Sequence, residues 1–233
     1  LKQWDELEAV PGRDALVQTY TGNAVRQVVH PSYQAWSYAM LISDYNASVQ
    51  EGMVSIYPCA YLHNYRRYGH DPLDAEQYET YLEDAPAFTR GEVTKLRDFI
   101  KKSIQTGDNK KLIYTIDSGR IKPSKSLQDS IVKMLKGNRE FIMLDEQKVV
   151  YEEILNESRQ SAKDEKKRVV IVKGGPGTGK SVVAVNLLAE LTNEEQFCQY
   201  VSKNSAPRNV YRKKLKGSIR KSSVDNMFKG SGI

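Results

Sequence analysis

One stretch of the chain, residues 168–191, constrains the fold more than any other. It opens with the apolar run RVVIVK, continues with the glycine-rich GGPGTGKS and passes into the amphipathic run SVVAVNLLAEL. A short apolar run before such a loop is typical of a buried parallel strand that delivers the loop to the start of a helix. A second short strand is predicted at residues 199–203. The order strand, loop, helix, strand predicts a βαβ unit and places the second half of the chain in the α/β class.

The glycine-rich loop matches the spacing G-x-x-x-x-G-K-[ST], and each residue type in it has a task in holding phosphate. Glycines turn backbone N–H groups inward and let phosphates approach closely. Lys180 places a positive charge against the β- and γ-phosphates, and the Ser181 hydroxyl is a ligand for Mg²⁺. We therefore expect ATP and Mg²⁺ as cofactors, with Lys180 and Ser181 as catalytic groups and Ser181 reaching the metal that accompanies the nucleotide. The residues expected to bind the cofactor are Gly174, Gly175, Pro176, Gly177, Thr178, Gly179, Lys180 and Ser181.

Composition excludes several other classes of protein. Of the 233 residues, 39% are hydrophobic and 27% are charged, a balance typical of a globular chain and not of a disordered or fibrous one. No apolar run approaches the roughly 20 residues that cross a bilayer, and no secretory leader is visible, so we expect no membrane partner. Two widely separated cysteines, Cys59 and Cys198, fit a reducing, cytoplasmic location. Because the chain begins with Leu1, we also expect it to be part of a longer protein.

Basic residues are concentrated after the predicted second strand. Between Gln196 and Val224 the chain has no acidic residue. Such a patch either neutralises phosphates along a nucleic-acid backbone or forms a solvated helix face, and charge alone favours neither. The basic residues of this stretch are Lys203, Arg208, Arg212, Lys213, Lys214, Lys216, Arg220 and Lys221.

Periodicity in the rest of the chain predicts further helices and one interrupted strand. Apolar and aromatic residues recur at helical spacing in residues 32–44, and residues 52–62 have a strand pattern broken by Pro58. Residues 69–92, rich in Pro, Asp, Glu, Gly and Tyr, are expected to be a connecting region, and 161–167 a polar loop. Helices are also predicted at about 90–105, 125–136 and 145–160.

Three segments, FIMLDEQ, VVIVKGGPGTGKSVVAVNLL and YVSKNSAPRNVY, together resemble the start of the bacterial helicase-like ATPases related to Schlafen proteins, a branch of superfamily 1. The resemblance covers roughly residues 85–233. It implies that Gln147 is the glutamine that reads the adenine edge, since an amide both donates and accepts; the alternative is an ordinary surface glutamine. It also implies that Lys203, Asn204 and Arg208 lie close to a nucleic-acid strand.

An acidic partner for the loop is missing from the sequence. A P-loop ATPase needs an acidic residue at a strand end to hold Mg²⁺ and to activate the attacking water. The acids that follow Ser181 do not end an apolar strand; the nearby ones are Glu190, Glu194, Glu195 and Asp225. We therefore expect this chain to bind ATP, and expect efficient hydrolysis only in the full-length protein.

A second resemblance covers the first third of the chain. LKQW at the start and QAWSY at 34–38 are similar to the Glu-x-Lys and Gln-x-x-x-Tyr motifs of the PD-(D/E)XK nucleases. This resemblance implies that Lys2 is a catalytic lysine that orients or activates water, and that Gln34 and Tyr38 contact DNA. The acidic metal ligands of such a site would precede Leu1. The alternative is that Trp36 and Tyr38 only pack in the core.

Together the two resemblances imply a truncated P-loop NTPase (RecA-like) lobe preceded by the C-terminal part of a restriction-endonuclease-like α/β domain. The expected divisions are a partial nuclease-like domain at 1–85, a helical connection at 86–139 and the start of the helicase domain at 140–233. The leading hypothesis is the ATP-binding portion of a nuclease–helicase fusion that acts on DNA or RNA. The alternative is an ATP-gated regulatory or binding module with a non-catalytic nuclease-like domain. A small-molecule kinase is a third possibility, disfavoured by the FIMLDEQ and SKNSAPR segments.

Overall fold

Short strands and longer helices alternate along the chain, as the α/β pattern predicts. The computed structural model describes residues 1–109, 111–122, 133–135, 142–215 and 221–231. The chain divides into two compact units. Unit 1 comprises Leu1–Ser124 and Leu144–Val149, and unit 2 comprises Lys125–Met143 and Val150–Ile233. Both units contain helices and strands, so the α/β assignment is confirmed at this level.

Unit 1 begins with an antiparallel sheet of three strands in the order β1 (Glu8–Ala9), β2 (Leu16–Thr21) and β3 (Ala24–Val29). Thr21 pairs with Ala24, so Gly22 and Asn23 form a two-residue turn. Both turn residues have positive φ angles, 57° and 61°, which the tight hairpin connection requires.

Helix α1 (Pro31–Tyr45) follows and confirms the helix predicted at 32–44. Pro31 occupies its first turn, where the missing N–H has no intrahelical partner in any case. Four short elements complete the next part of unit 1. They are α2 (Ala47–Gln50), β4 (Ala60–Leu62), α3 (Glu79–Asp84) and β5 (Ala87–Thr89).

Only the last three residues of the predicted strand 52–62 form one, β4, which pairs in parallel with β5. On its other side β4 meets Lys2, whose backbone N–H donates to the Tyr61 carbonyl at 2.9 Å. Residues 69–92 are not a mere connection, because their apolar side chains build the core of unit 1. Leu73 and Tyr78 are fully buried and pack with Trp4, Leu7, Val17, Ala60, Leu62, Tyr65 and Ala87.

Helix α4 (Val93–Ser103) confirms the helix predicted at 90–105, and α5 (Lys111–Asp117) follows it. The helix predicted at 125–136 lies outside the described residues except for 133–135. Helix α6 (Asp145–Asp164) is longer than predicted and takes in half of the expected polar loop at 161–167. Its first five residues belong to unit 1 and the others to unit 2.

Unit 2 is built around helix α7 (Lys180–Asn193), which is buried on two sides. One side, with Val185 and Leu188, packs into a cluster formed by α8 (Ser205–Leu215), α9 (Lys221–Met227) and β7 (Phe228–Gly230). The other side, with Val183 and Leu187, packs against Tyr151 and Leu155 of α6.

The predicted buried strand at 168–173 is wrong for this chain. The segment has no regular hydrogen-bonded structure, and Val169 and Ile171 are 88% and 76% exposed. An apolar run is buried as a strand only where neighbouring strands cover it, and none of the described residues pairs with it. Strand β6 (Tyr200–Ser202), expected at 199–203, is confirmed, but it pairs in parallel with β7. The parallel unit is therefore β6–α8–α9–β7, one step further along the chain than predicted.

Candidate functional site

The glycine-rich loop leads directly into α7 and depends on glycine at several points. Gly177 and Gly179 have φ angles of 75° and 83°, which residues with a Cβ rarely adopt. Gly179 precedes the first helical residue, and its carbonyl accepts from the Val182 N–H at 2.8 Å. A Cβ at Gly174 would lie 2.8 Å from Thr178 Oγ1, so a side chain there would fill the loop. The residues of the loop thus fit a close phosphate cradle.

Lys180 holds the loop in a closed shape. Its ammonium donates to the carbonyls of Gly174 and Gly175 at 2.8 and 2.5 Å, and Thr178 Oγ1 donates to Gly175 O at 2.9 Å. Lys180 and Ser181 are both exposed. The N–H groups of the first turn of a helix have no intrahelical partner, so this end of α7 favours an anion. The lysine lies at the helix end where phosphate oxygens would bind.

Helix α6 contacts the chain on both sides of the loop. Besides its apolar contacts with α7, it carries Arg159, whose Nε donates to Glu194 Oε1 at 3.0 Å just after the end of α7. Arg168, which precedes the apolar segment, pairs with Glu157 at 2.8 Å and with Asp164 at 2.6 Å. Both ends of the loop-bearing region are therefore tied to the same helix.

The acids that follow the loop in the chain are not gathered into a metal site among the described residues. Glu194 is paired with Arg159, and Asp225 lies 3.6 Å from Arg212. Within the described ranges no group of three or more His, Cys, Asp or Glu side chains is placed to hold a metal ion. The same part of the chain has no helix long and apolar enough to cross a membrane.

Gln147 caps its own helix. Its Oε1 accepts from the backbone N–H of Leu144 at 3.2 Å, three residues back, which is the return contact of a capping box. The structure thus gives this glutamine a local role in starting α6. Its contact with adenine stays a prediction.

The basic segment after β6 divides into residues with internal contacts and residues that face solvent. The Arg208 guanidinium donates to the carbonyls of Ser202 and Asn204, and Arg212 donates to Phe228 O at 2.7 Å. The Asn204 side chain accepts from the Ala206 N–H at 3.0 Å at the start of α8. Lys203 and Lys213 are exposed, whereas Lys216 and Arg220 lie outside the described residues. Arg208 and Asn204 therefore have structural contacts, and their contact with nucleic acid stays a prediction.

Gln34 and Tyr38 meet an acidic side chain that the sequence did not link to them. The Gln34 amide and the Tyr38 hydroxyl both donate to Asp145 Oδ2, at 2.7 and 2.5 Å. Gln34 also donates to the Tyr38 hydroxyl at 3.2 Å. Nothing local in the sequence signals this contact, because Asp145 lies more than a hundred residues from α1.

Tyr38 is not a core residue, since 43% of it is exposed. The packing alternative holds for Trp36 instead, whose ring contacts those of Tyr33 and Tyr81 at centroid distances of 5.7 and 5.5 Å. The hydrogen bond to Asp145, and then partial burial, raise the pKa of Tyr38. The phenol therefore stays protonated and acts as a donor at neutral pH.

The charge of Asp145 also acts on Lys2. Partial burial lowers the pKa of its ammonium, and the negative charge of Asp145 opposes that shift. The ammonium also lies 4.8 Å from the centroid of the Trp4 ring. A lysine with a lowered pKa suits a proton-transfer role, but ordinary burial produces the same shift.

Comparison with known proteins bears on unit 2. Residues 167–233 match the family model described as Schlafen group 3, DNA/RNA helicase domain. This region is helicase-like and similar to Schlafen proteins. The matched residues contain the glycine-rich loop, α7, β6 and the basic segment. No curated protein and no solved structure matches the chain.

The Schlafen match leaves out the residues implied by the nuclease resemblance. Lys2, Gln34 and Tyr38 all lie before residue 167, as does Gln147. The divisions at 1–85, 86–139 and 140–233 likewise stay predictions. What the structure adds is that Gln34 and Tyr38 contact Asp145. The charge of Asp145 also acts on the Lys2 ammonium.

Proposed function

We propose that this chain is the ATP-binding portion of a helicase or translocase that acts on DNA or RNA and is joined to a nuclease-like domain. The observation that carries the proposal is the glycine-built loop at the start of α7, inside the region that matches the Schlafen helicase domain. The fold of the helicase part is a RecA-like lobe, and the location of the protein is the cytoplasm.

In this proposal the loop binds the triphosphate of ATP together with its Mg²⁺, and a separate residue recognises the base. Gly174–Gly179 surround the phosphates, Lys180 exchanges its two carbonyl partners for phosphate oxygens, and Ser181 binds the Mg²⁺ that accompanies ATP. Gln147 selects adenine. Hydrolysis by this chain is slow, because no acidic residue after the loop ends an apolar strand, where an acid would hold the Mg²⁺ and activate the attacking water.

Nucleic acid is the proposed partner on two grounds. The family model that matches unit 2 describes a DNA/RNA helicase domain, and the basic segment after β6 has exposed lysines on which a phosphate backbone can bind. In unit 1, Lys2, Gln34 and Tyr38 form the nuclease-like cluster. One observation favours the alternative of a non-catalytic binding module, namely that Gln34 and Tyr38 already hold a carboxylate of the same chain.

The nucleotide site is tested by replacing the lysine of the loop. We expect Lys180→Ala to weaken binding of a fluorescent ATP analogue by at least about tenfold, since a charged contact with phosphate contributes on the order of 1.5–3 kcal/mol. Lys167→Ala is the matched control, because it removes the same charge from an exposed position a few residues before the loop. Equal affinity of the Lys180→Ala variant and the wild type would contradict the proposed site.

A further inference from the structure

Asp145 accepts hydrogen bonds from Gln34 and Tyr38, the two side chains for which the nuclease resemblance implies a nucleic-acid contact. Gln34 and Tyr38 stand one helical turn apart on α1, so their polar groups reach the same side of the helix. Both donate to a single oxygen, Oδ2 of Asp145. Neutral donors that converge on one anionic oxygen suit a phosphate oxygen as well as a carboxylate oxygen.

The lysine near this pair adds a positive charge. The charge of Asp145 acts on the Lys2 ammonium strongly enough to oppose the effect of burial on its pKa. The backbone of Lys2 is fixed beside β4, since its carbonyl accepts from the His63 N–H at 3.3 Å and its N–H donates to Tyr61 O. The amide and the phenol thus contact the Asp145 carboxylate directly, whereas the ammonium of Lys2 senses the charge of that carboxylate without a direct contact being shown.

The carboxylate of Asp145 is only half satisfied in this position. Its Oδ1 is buried and has no hydrogen-bond partner in the described part of the chain. A buried anionic oxygen without a partner is costly, so the contact leaves part of the carboxylate's charge uncompensated. A ligand that offers its own oxygens to the same donors therefore competes against a carboxylate of which one oxygen is unsatisfied.

We propose that Asp145 is an internal competitor for nucleic-acid phosphate: its carboxylate occupies Gln34 and Tyr38, and a phosphodiester must displace it to bind there. This inference rests on the proposed function, because it takes nucleic acid as the ligand of this cluster. It identifies a regulatory contact in unit 1 and names the side chain that controls access.

A simpler explanation is that Asp145 only stabilises the positive end of α6. Its neighbour Glu146 provides the means to separate the two explanations. Glu146 lies on the same first turn, carries the same charge and is exposed. Removing its charge therefore reproduces the effects on the helix end and on net charge without freeing Gln34 or Tyr38.

The test compares Asp145→Asn with Glu146→Gln in the complete chain. Binding of a fluorescein-labelled oligothymidylate is measured by anisotropy at low salt, and folding of each variant is checked by circular dichroism. We expect Asp145→Asn to bind about tenfold more tightly than the wild type, the equivalent of one charge-assisted contact released to the ligand. Glu146→Gln should stay within about twofold, as expected for a single exposed charge.

Adding Gln34→Ala separates failure of this inference from failure of the proposed function. In the Asp145→Asn background, Gln34→Ala should remove most of the gain in affinity. If the wild type binds the oligonucleotide and Asp145→Asn improves the affinity no more than Glu146→Gln does, the inference is overturned. The proposed nucleic-acid function is then unaffected. Absence of oligonucleotide binding in every variant would overturn the proposed nucleic-acid function and the inference with it.

A second readout follows the wild-type protein itself, and a variant is needed only to assign its signal. With ¹³C-labelled tyrosine, the ring signal of Tyr38 can be assigned by its loss in Tyr38→Phe. Displacement of Asp145 changes the hydrogen-bond partner of this phenol, so saturation with oligothymidylate should shift the signal. Binding that leaves the Tyr38 signal unmoved would also overturn the inference.

Discussion

At the scale of single residues, His30 shows how a buried polar side chain is accommodated where β3 passes into α1. Its Nδ1 accepts from the Ser32 N–H at 3.1 Å, and its Nε2 donates to Leu73 O at 3.0 Å. The ring also stacks on Tyr78 with centroids 4.4 Å apart. This arrangement requires the neutral ring, and burial lowers the pKa of His30 to about 4.

This lowered pKa predicts acid sensitivity of unit 1. The folded value, about 4, lies below the ordinary 6.5, so the unfolded chain binds a proton first and the stabilising effect is complete only above pH 6.5. As the pH falls from 6.5 to 4, we expect the free energy of unfolding to drop by about 3 kcal/mol on account of His30.

The measurement is denaturant unfolding at several pH values followed by tryptophan fluorescence, since Trp4 and Trp36, the two tryptophans, both lie in unit 1. His30→Asn keeps an N-cap side chain but does not titrate, so it is the control. The stability of this variant should depend less steeply on pH. Parallel pH profiles for variant and wild type would show that His30 does not cause the acid sensitivity.

At the scale of elements, two apolar runs of unit 2 differ in burial: the one in α7 is buried and the one before the loop is exposed. Helix α7 buries Val185 and Leu188 on one side and Val183 and Leu187 on the other. The segment before the loop is as apolar as the helix but stays exposed, with Ile171 at 76%. The two runs differ in what surrounds them, because α7 has packed elements on both sides and the segment has no strand beside it in the described chain.

Truncation of one side chain in each run should give very different results. We expect Leu188→Ala to lower the free energy of unfolding of unit 2 by about 2–4 kcal/mol, because it leaves a cavity beside Tyr211 and Phe228. Ile171→Ala should change it by less than about 0.5 kcal/mol, as expected for an exposed position. Urea unfolding followed by circular dichroism checks both. A comparable loss of stability in the two variants would mean that residues 168–173 are buried after all.

At the scale of the whole molecule, the net charge of +6 is modest, so any attraction to nucleic acid depends on where the charges lie. Arg208 and Arg212 donate to carbonyls of their own unit, which leaves fewer guanidinium N–H groups to donate to phosphate than the sequence indicates. Lys203 and Lys213 remain exposed. The arginines of the basic segment therefore stabilise unit 2, whereas its exposed lysines form a charged surface.

The salt dependence of single-strand binding tests this division. We expect the logarithm of the binding constant to fall linearly with the logarithm of salt concentration, and Lys203→Ala to reduce the slope by about one contact. Lys167→Ala, another exposed lysine of unit 2, should leave the slope unchanged. Binding that does not respond to salt would instead favour the ATP-gated module.

Features that depend on local chemistry were predictable from the order of the amino acids. The spacing of glycines and Lys180 fixed the loop at the start of a helix, and the periodicity of residues 32–44 and 145–160 fixed α1 and most of α6. These predictions succeeded because backbone angles, helix caps and apolar periodicity depend on neighbours in the chain.

Contacts between distant side chains and the burial of apolar runs became known from the three-dimensional fold. It paired β6 with β7, left residues 168–173 exposed, built a core from residues 69–92 and brought Asp145 to Gln34 and Tyr38. Strand pairing and such polar contacts join residues far apart in the chain, and no local pattern encodes them. For the same reason, the glycine-rich loop was visible in the sequence, whereas the contact of Asp145 with Gln34 and Tyr38 was not.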